Sequence, residues 1–105
     1  MLNFFKKVIY FESLDSTNDY LINLHKTCFV TEQLVVVARQ QKKGRGRMGK
    51  KWFSDFGGLT FSISIELTHE ITDWKMNMLI SCALVETFKK YGCIARIKYP
   101  NDIII

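Results

Sequence analysis

Leu34-Val35-Val36-Val37-Ala38 runs through Arg39 and Gln40 into Gln41-Lys42-Lys43-Gly44-Arg45-Gly46-Arg47-Met48-Gly49-Lys50-Lys51-Trp52. The continuous apolar run with three β-branched valines predicts a strand covered on both faces. That strand delivers a glycine-rich, cationic loop at its end. Residues 42–51 hold six cations (Lys42, Lys43, Arg45, Arg47, Lys50 and Lys51) and no acid. The whole chain carries 15 Lys+Arg and 10 Asp+Glu, a formal net charge of +5, so everything outside the loop sums to −1. A basic balance that comes from one loop points to a local anion site. It argues against the broad positive face of a protein that coats nucleic acid.

Working outward, residues 8–11 form a short apolar strand that leads into Ser13-Leu14-Asp15-Ser16-Thr17-Asn18-Asp19, a segment dense in helix-capping side chains. Ser16 with Asp19 three positions later resembles a capping box, and Tyr20, Leu21 and Leu24 give the helix an apolar stripe that should end near Lys26. Residues 59–67 alternate strictly, Leu59, Phe61, Ile63, Ile65 and Leu67 apolar against Thr60, Ser62, Ser64 and Glu66, which predicts a strand. Thr72 or Asp73 can cap a second helix, with Trp74, Met78, Cys82, Val85 and Phe88 recurring every three or four residues and Gly92 placed to end it. Leu79, Ile80, Ala83 and Leu84 widen its stripe, so most of this helix is expected to be buried. Residues 94–99 then read as a strand, Pro100-Asn101-Asp102 as a turn, and Ile103-Ile104-Ile105 as a last strand. The order β, α, β, loop, β, α, β, β predicts an α+β fold with a mixed or antiparallel sheet and flanking helices.

With 105 residues, 48% of them hydrophobic, the chain is expected to be one small ordered domain, residues 1–105, without a separate DNA-binding domain. The three cysteines, Cys28, Cys82 and Cys93, form no C-x-x-C pair, which fits a reduced compartment better than a disulfide framework. His25 and His69 lie far from any second ligand at metal-site spacing, so no metal ligand is assigned. No apolar run approaches the ~20 residues that span a bilayer. A cytoplasmic protein without membrane contact is the expectation.

The loop satisfies two nucleotide motifs at once, G-x-G-x-x-G over residues 44–49 and G-x-x-x-x-G-K over residues 44–50. Their contexts disagree with both. A dinucleotide fingerprint opens a helix, whereas this loop leads through Gly57 and Gly58 into the alternating strand. A P-loop needs Ser or Thr after its lysine, and Lys51 stands there. What remains is physical: glycines allow close backbone approach, Arg45 and Arg47 can fork onto phosphate or carboxylate, and Trp52 offers a stacking plane. The plainer alternative is a solvated surface loop.

Three segments, Asp15-Ser16-Thr17-Asn18, the Gln41 to Trp52 loop and Lys98-Tyr99-Pro100-Asn101-Asp102, together resemble the biotin protein ligase family, whose motifs run D-S-T-N, Q-x-x-G-R-G-R-x-G-[RK]-x-W and K-W-P-N-D in this order. The resemblance implies the fold shared by biotin synthetases and class II aminoacyl-tRNA synthetases, represented by about the N-terminal half of the catalytic module. It also implies ATP-dependent activation of biotin to biotinyl-AMP with Mg2+, then transfer to a lysine of a biotin carboxyl carrier domain. By the same resemblance Ser16, Thr17, Asn18, Gln41, Arg45, Gly46 and Arg47 would bind biotin, while Gly44, Lys50, Trp52, Asn101 and Asp102 would face the nucleotide. Arg45, Arg47 and Asp102 would take the catalytic roles. Alone, Ser16 to Asn18 would read as a helix cap, Trp52 as core and Asn101-Asp102 as a turn.

Met48 and Lys50 stand where many members carry arginine, and Tyr99 where tryptophan is common. Lysine keeps the charge but loses the planar fork, so weaker phosphate contact is expected there. The family's downstream lysine has no counterpart before Ile105, and the chain by itself is expected to fall short of full ligation. Three rival readings remain open: a lipoate-type ligase or transferase, a nucleic-acid-binding module using the basic loop, and an inactive fragment. The oligomeric state is not legible.

Overall fold

Strand β1 (Lys7–Leu14) lies parallel to β2 (Leu34–Gln41), with Ile9 opposite Val36, and β3 (Thr60–Ile63) pairs antiparallel to the other edge of β2. The structure, a computed structural model, describes residues 7–28, 32–66 and 70–105. Helix α1 (Thr17–Thr27) connects β1 to β2 and packs on one face of this mixed sheet. Leu21, Leu34 and Val36 form the buried centre, with Ile9, Phe11, Leu14, Tyr20 and Leu24 packed against it. Phe11 and Tyr20 meet edge to face at 4.8 Å between ring centroids. Such a pair contributes roughly 0.5–1.5 kcal/mol beyond its buried area. α1 opens on Ser16, whose Oγ accepts from the Asp19 N–H at 3.2 Å, so the predicted cap is present.

The register of β2 differs from a strand covered equally on both faces. Leu34, Val36 and Ala38 are buried under α1, whereas Val35 and Val37 on the reverse face are only half-buried. Val8 and Tyr10 of β1 and Phe61 and Ile63 of β3 share that reverse face by register. The alternating segment is also shorter than its pattern predicted. Regular pairing of β3 stops at Ile63 because β2 begins at Leu34; Ser64 still donates its N–H to Leu34 O, but among the described residues no strand lies beyond to extend the ladder. Leu67, the last apolar position of the predicted strand, and His69 fall outside the described residues.

The chain divides into two compact units, Met1–Glu66 and Leu67–Ile105. In the second, α2 (Asp73–Lys90) precedes a two-stranded antiparallel sheet of β4 (Arg96–Lys98) and β5 (Asp102–Ile104). Thr72 caps α2 through the Lys75 N–H, and Gly92, at φ +82°, ends it while the Cys93 N–H returns to Phe88 O at 2.9 Å. The burial predicted for α2 is not observed: among its residues only Ser81 is buried, and Trp74, Leu79 and Ile80 are exposed. Two three-residue strands offer too little surface to cover a wide apolar stripe. Among the described residues no helix is long and apolar enough to cross a membrane.

Candidate functional site

The first turn of α1 starts with backbone N–H groups that have no partner inside the helix. Thr17 gives its N–H to Gln41 Oε1 at 2.8 Å, at the end of β2. Because that N–H can only donate, the amide atom facing it must be the oxygen, and Gln41 Nε2 is thereby turned to Ser54 Oγ at 3.2 Å. The Thr17 hydroxyl also reaches Gln41 Oε1, at 3.1 Å, and lies 2.8 Å from Ser62 Oγ of β3. One network thus ties α1, β2, β3 and the segment after the glycine loop, with Thr17 buried in its middle.

The register explains how Ser62 arrives there. It sits opposite Val36, on the face that α1 covers, while Phe61 sits opposite Val37 on the reverse face. The polar side of the alternating strand therefore faces inward here, toward the helix terminus.

Residues 44–52 fold back as a hairpin. Arg45 and Lys51 form an antiparallel bridge, Gly46 N–H donates to Lys50 O at 2.6 Å, and Trp52 N–H donates to Gly44 O at 2.9 Å. Met48 at φ +56° and Gly49 at φ +76° make the turn, with Met48 exposed at its tip. Gly44 is required by close approach: a Cβ there would lie 2.5 Å from Trp52 O and 2.8 Å from Gln41 Nε2. Arg45 Nη2 reaches Asp19 Oδ1 on the first turn of α1 and anchors the hairpin to the helix.

These elements enclose a cleft of about 560 Å³, within the range usual for small-molecule sites. Of the residues expected to bind ligand, Ser16, Thr17, Asn18, Gln41, Arg45, Gly46 and Trp52 line it together. Gly44 lies buried at the base of the hairpin, while Arg47 and Lys50 are exposed on it and do not line the cleft. In the second unit Asn101 is exposed in the turn after the cis Tyr99–Pro100 peptide, and half-buried Asp102 opens β5 opposite Lys98. The Asn77 side chain donates to Pro100 O and ties that turn to α2.

Trp52 is more than half exposed, at 57%, so it is a surface residue of the cleft and not core. Ser54, Leu59, Thr60, Phe61 and Ser62 line the same cleft and were not singled out from the sequence. For Thr60 and Ser62 the available signal was the polar side of the alternating strand, which periodicity alone assigns to solvent. Chemically the cleft combines a hydroxyl and amide wall, the apolar surfaces of Trp52 and Leu59, and one guanidinium. That set suits a small molecule with a neutral polar head, an apolar body and an anionic end. Cys28, Cys82 and Cys93 are all free thiols.

A model of the family described as "Biotin/lipoate A/B protein ligase family" matches residues 10–105. The bifunctional ligase/repressor BirA of Salmonella typhimurium is 34% identical over 95 residues, which cover 88% of this chain and 29% of that protein. Biotin acetyl coenzyme A carboxylase synthetase from Helicobacter pylori, solved with bound biotinylated ATP, superposes with a TM-score of 0.85 at 26% identity, covering 94% of this chain and 49% of that one. Biotin protein ligase from Aquifex aeolicus, in complex with biotin and ATP, gives a TM-score of 0.81 at 29% identity, covering 96% and 42%. The chain thus spans less than a third of the curated relative and just under half of each solved structure.

Proposed function

The chain belongs to the biotin/lipoate A/B protein ligase family, and we propose that its first unit forms the biotin and adenylate cleft of a biotin protein ligase catalytic domain. The observation that supports this reading is the convergence of Thr17 from one motif segment and Gln41, Arg45 and Trp52 from another on one cleft. A neutral hydroxyl and amide wall suits the ureido ring of biotin, the aromatic surface suits its apolar body and the adenine, and Arg45 suits the carboxylate or phosphate. The lipoate alternative has no ring polar groups for that wall to recognise. Among the described residues no recognition helix follows from the basic hairpin, which weighs against a nucleic-acid-binding module.

In the proposed reaction a biotin carboxylate oxygen attacks the α-phosphorus of ATP, forming the acyl phosphate bond of biotinyl-AMP and releasing pyrophosphate. The amine of a carrier-domain lysine then attacks the acyl carbon, forming the amide and releasing AMP with loss of a proton. The first step brings two anions together. A hairpin with Arg45, Arg47 and Lys50 would offset their repulsion and hold them in register. Excluding water protects the mixed anhydride, a role suited to a hairpin that tightens on ligand. Mg2+ would arrive on the triphosphate, keeping several waters and taking one or two carboxylates. Half-buried Asp102, whose side chain makes no hydrogen bond among the described residues, is of the right donor type. A cytoplasmic location and a biotin carboxyl carrier domain as partner belong to the same proposal.

Titrating the chain with biotin plus ATP, and separately with single- and double-stranded nucleic acid across a salt series, tests it. Saturable biotin binding is expected. Nucleic-acid binding that weakens steeply with salt, without biotin binding, would overturn it.

A further inference from the structure

The turn that carries Asn101 and leads into Asp102 has little support of its own. β4 and β5 are three residues each, Lys98 stands opposite Asp102 where their pairing ends, and Tyr99, Pro100 and Asn101 close the loop between them. Two such short strands are marginal without outside contacts. Tyr99 is 71% exposed and Asn101 is exposed as well, so apolar packing does not fix the loop. Pro100 has no N–H to give. Its carbonyl, however, accepts from the Asn77 side chain on α2, and among the described residues this is the one hydrogen bond that a side chain makes to the turn or to β5. Because a carbonyl only accepts, the Asn77 atom facing it is Nδ2.

Asn77 is half-buried and lies one helical turn before Ser81, the buried residue of α2, so it sits on the packed side of an 18-residue helix. A long element thus grips the loop two residues before Asp102. The Asp102 side chain is half-buried and makes no hydrogen bond among the described residues, so nothing on the carboxylate itself fixes where it points. Mg2+ demands near-ideal octahedral geometry with oxygens at about 2.1 Å, and a carboxylate on a drifting loop meets that demand poorly. Partners that orient a metal ligand without touching the metal are worth a large part of its affinity.

We propose that Asn77 is a positioning residue of the nucleotide and metal turn: through Pro100 O it holds the Asp102 carboxylate ready for the Mg2+ that arrives on the triphosphate. The inference rests on the reading of Asn101 and Asp102 as the nucleotide-facing pair, and it extends that reading to a residue of α2 outside the three motifs.

Calorimetry on the 105-residue chain with ATP in EDTA, with ATP plus Mg2+ and with biotin tests the assignment. Wild type should bind ATP more tightly with Mg2+ than in EDTA. Asn77→Ala should cut affinity for ATP plus Mg2+ about tenfold, the low end for loss of a residue that orients a metal ligand, while ATP in EDTA and biotin stay within about twofold of wild type. Asn77→Gln, which keeps the amide donor, should return ATP plus Mg2+ to within about threefold. Should Asn77→Ala fail to fold, Asn77→Leu replaces it, being of similar size without a donor. Equal losses with and without Mg2+ would reduce Asn77 to a structural tether, and unchanged affinity for ATP plus Mg2+ would remove it from the site; either overturns the proposal while leaving the reading of Asp102 intact. A wild-type chain that binds ATP no better with Mg2+ than without it overturns that reading itself, and this inference with it.

Discussion

Arg45, on the glycine hairpin, is ion-paired with Asp19 on the first turn of α1, 26 residues away in sequence. Both side chains are more than half exposed, at 63% and 51%, so the pair itself contributes no more than about 1 kcal/mol. Its consequence concerns ligand binding. On the proposed function, the Asp19 carboxylate engages one side of the guanidinium that an anionic ligand would use, and so competes with that ligand. Asp19→Asn is expected to tighten binding of a non-hydrolysable biotinyl-adenylate mimic by up to about fivefold, with less than about 1 kcal/mol lost in stability. Weaker binding on calorimetry would instead mean that Asp19 is needed to hold Arg45 in place.

Replacing Arg45 by Ala should weaken retention of the same adenylate mimic by about 1.5–3 kcal/mol, the range for hydrogen bonds to charged groups. Competition from Asp19 in the free protein places the expected value near the lower end. Unchanged affinity on calorimetry would remove the hairpin from the anion site.

Two glycines of the hairpin should respond oppositely to alanine. At Gly44 a Cβ would meet the Trp52 carbonyl at 2.5 Å, and backbone cannot yield cheaply, so a destabilisation of about 1–3 kcal/mol is expected with loss of biotin binding. At Gly46 the nearest atoms, on Lys50, are at 3.5 Å, an ordinary contact, and thermal stability should be nearly unchanged. Denaturation of the two variants side by side checks the contrast; equal effects would contradict the close approach.

Arg47 and Lys50 are exposed on the hairpin, where trypsin can reach them. Six cations repel one another there, and beyond the bonds of Lys42 and Lys43 to Leu14 O and Asp15 O, the contacts that oppose opening among the described residues are the backbone bonds of the turn and the Arg45–Asp19 pair. Cleavage in the free chain should fall within residues 42–51. Biotin plus ATP at about 100 times their dissociation constants should slow it by about a hundredfold, if cutting requires the opened hairpin. Resistance without ligand would show that the hairpin is rigid before binding.

The order of elements, the Ser16 and Gly92 caps and the motif residues of the cleft could all be read before the structure, because each depends on local chemistry or on a recognisable pattern. The faces could not. Alternation over residues 59–67 shows that the two sides of the strand differ, but only the pairing of Ser62 with Val36 shows that the polar side lies under α1. That inversion is why Ser62 was passed over in favour of residues with louder chemistry. The stripe of α2 misled for a related reason: periodicity measures how apolar a face is, not how much surface is available to cover it. Asp19 was recognised as a capping residue, and nothing in the sequence signals that its side chain would meet Arg45.

Chemical-shift mapping of the isotopically labelled chain during a biotin titration tests the central claim most directly, because it reports where ligand binds without requiring turnover. The account predicts saturable shifts at the Thr17 amide, the Gln41 side-chain amide, Ser62, the Arg45 guanidinium and the Trp52 indole, with lipoate perturbing the polar wall far less. Absence of saturable shifts, or shifts confined to residues outside this cleft, would contradict it.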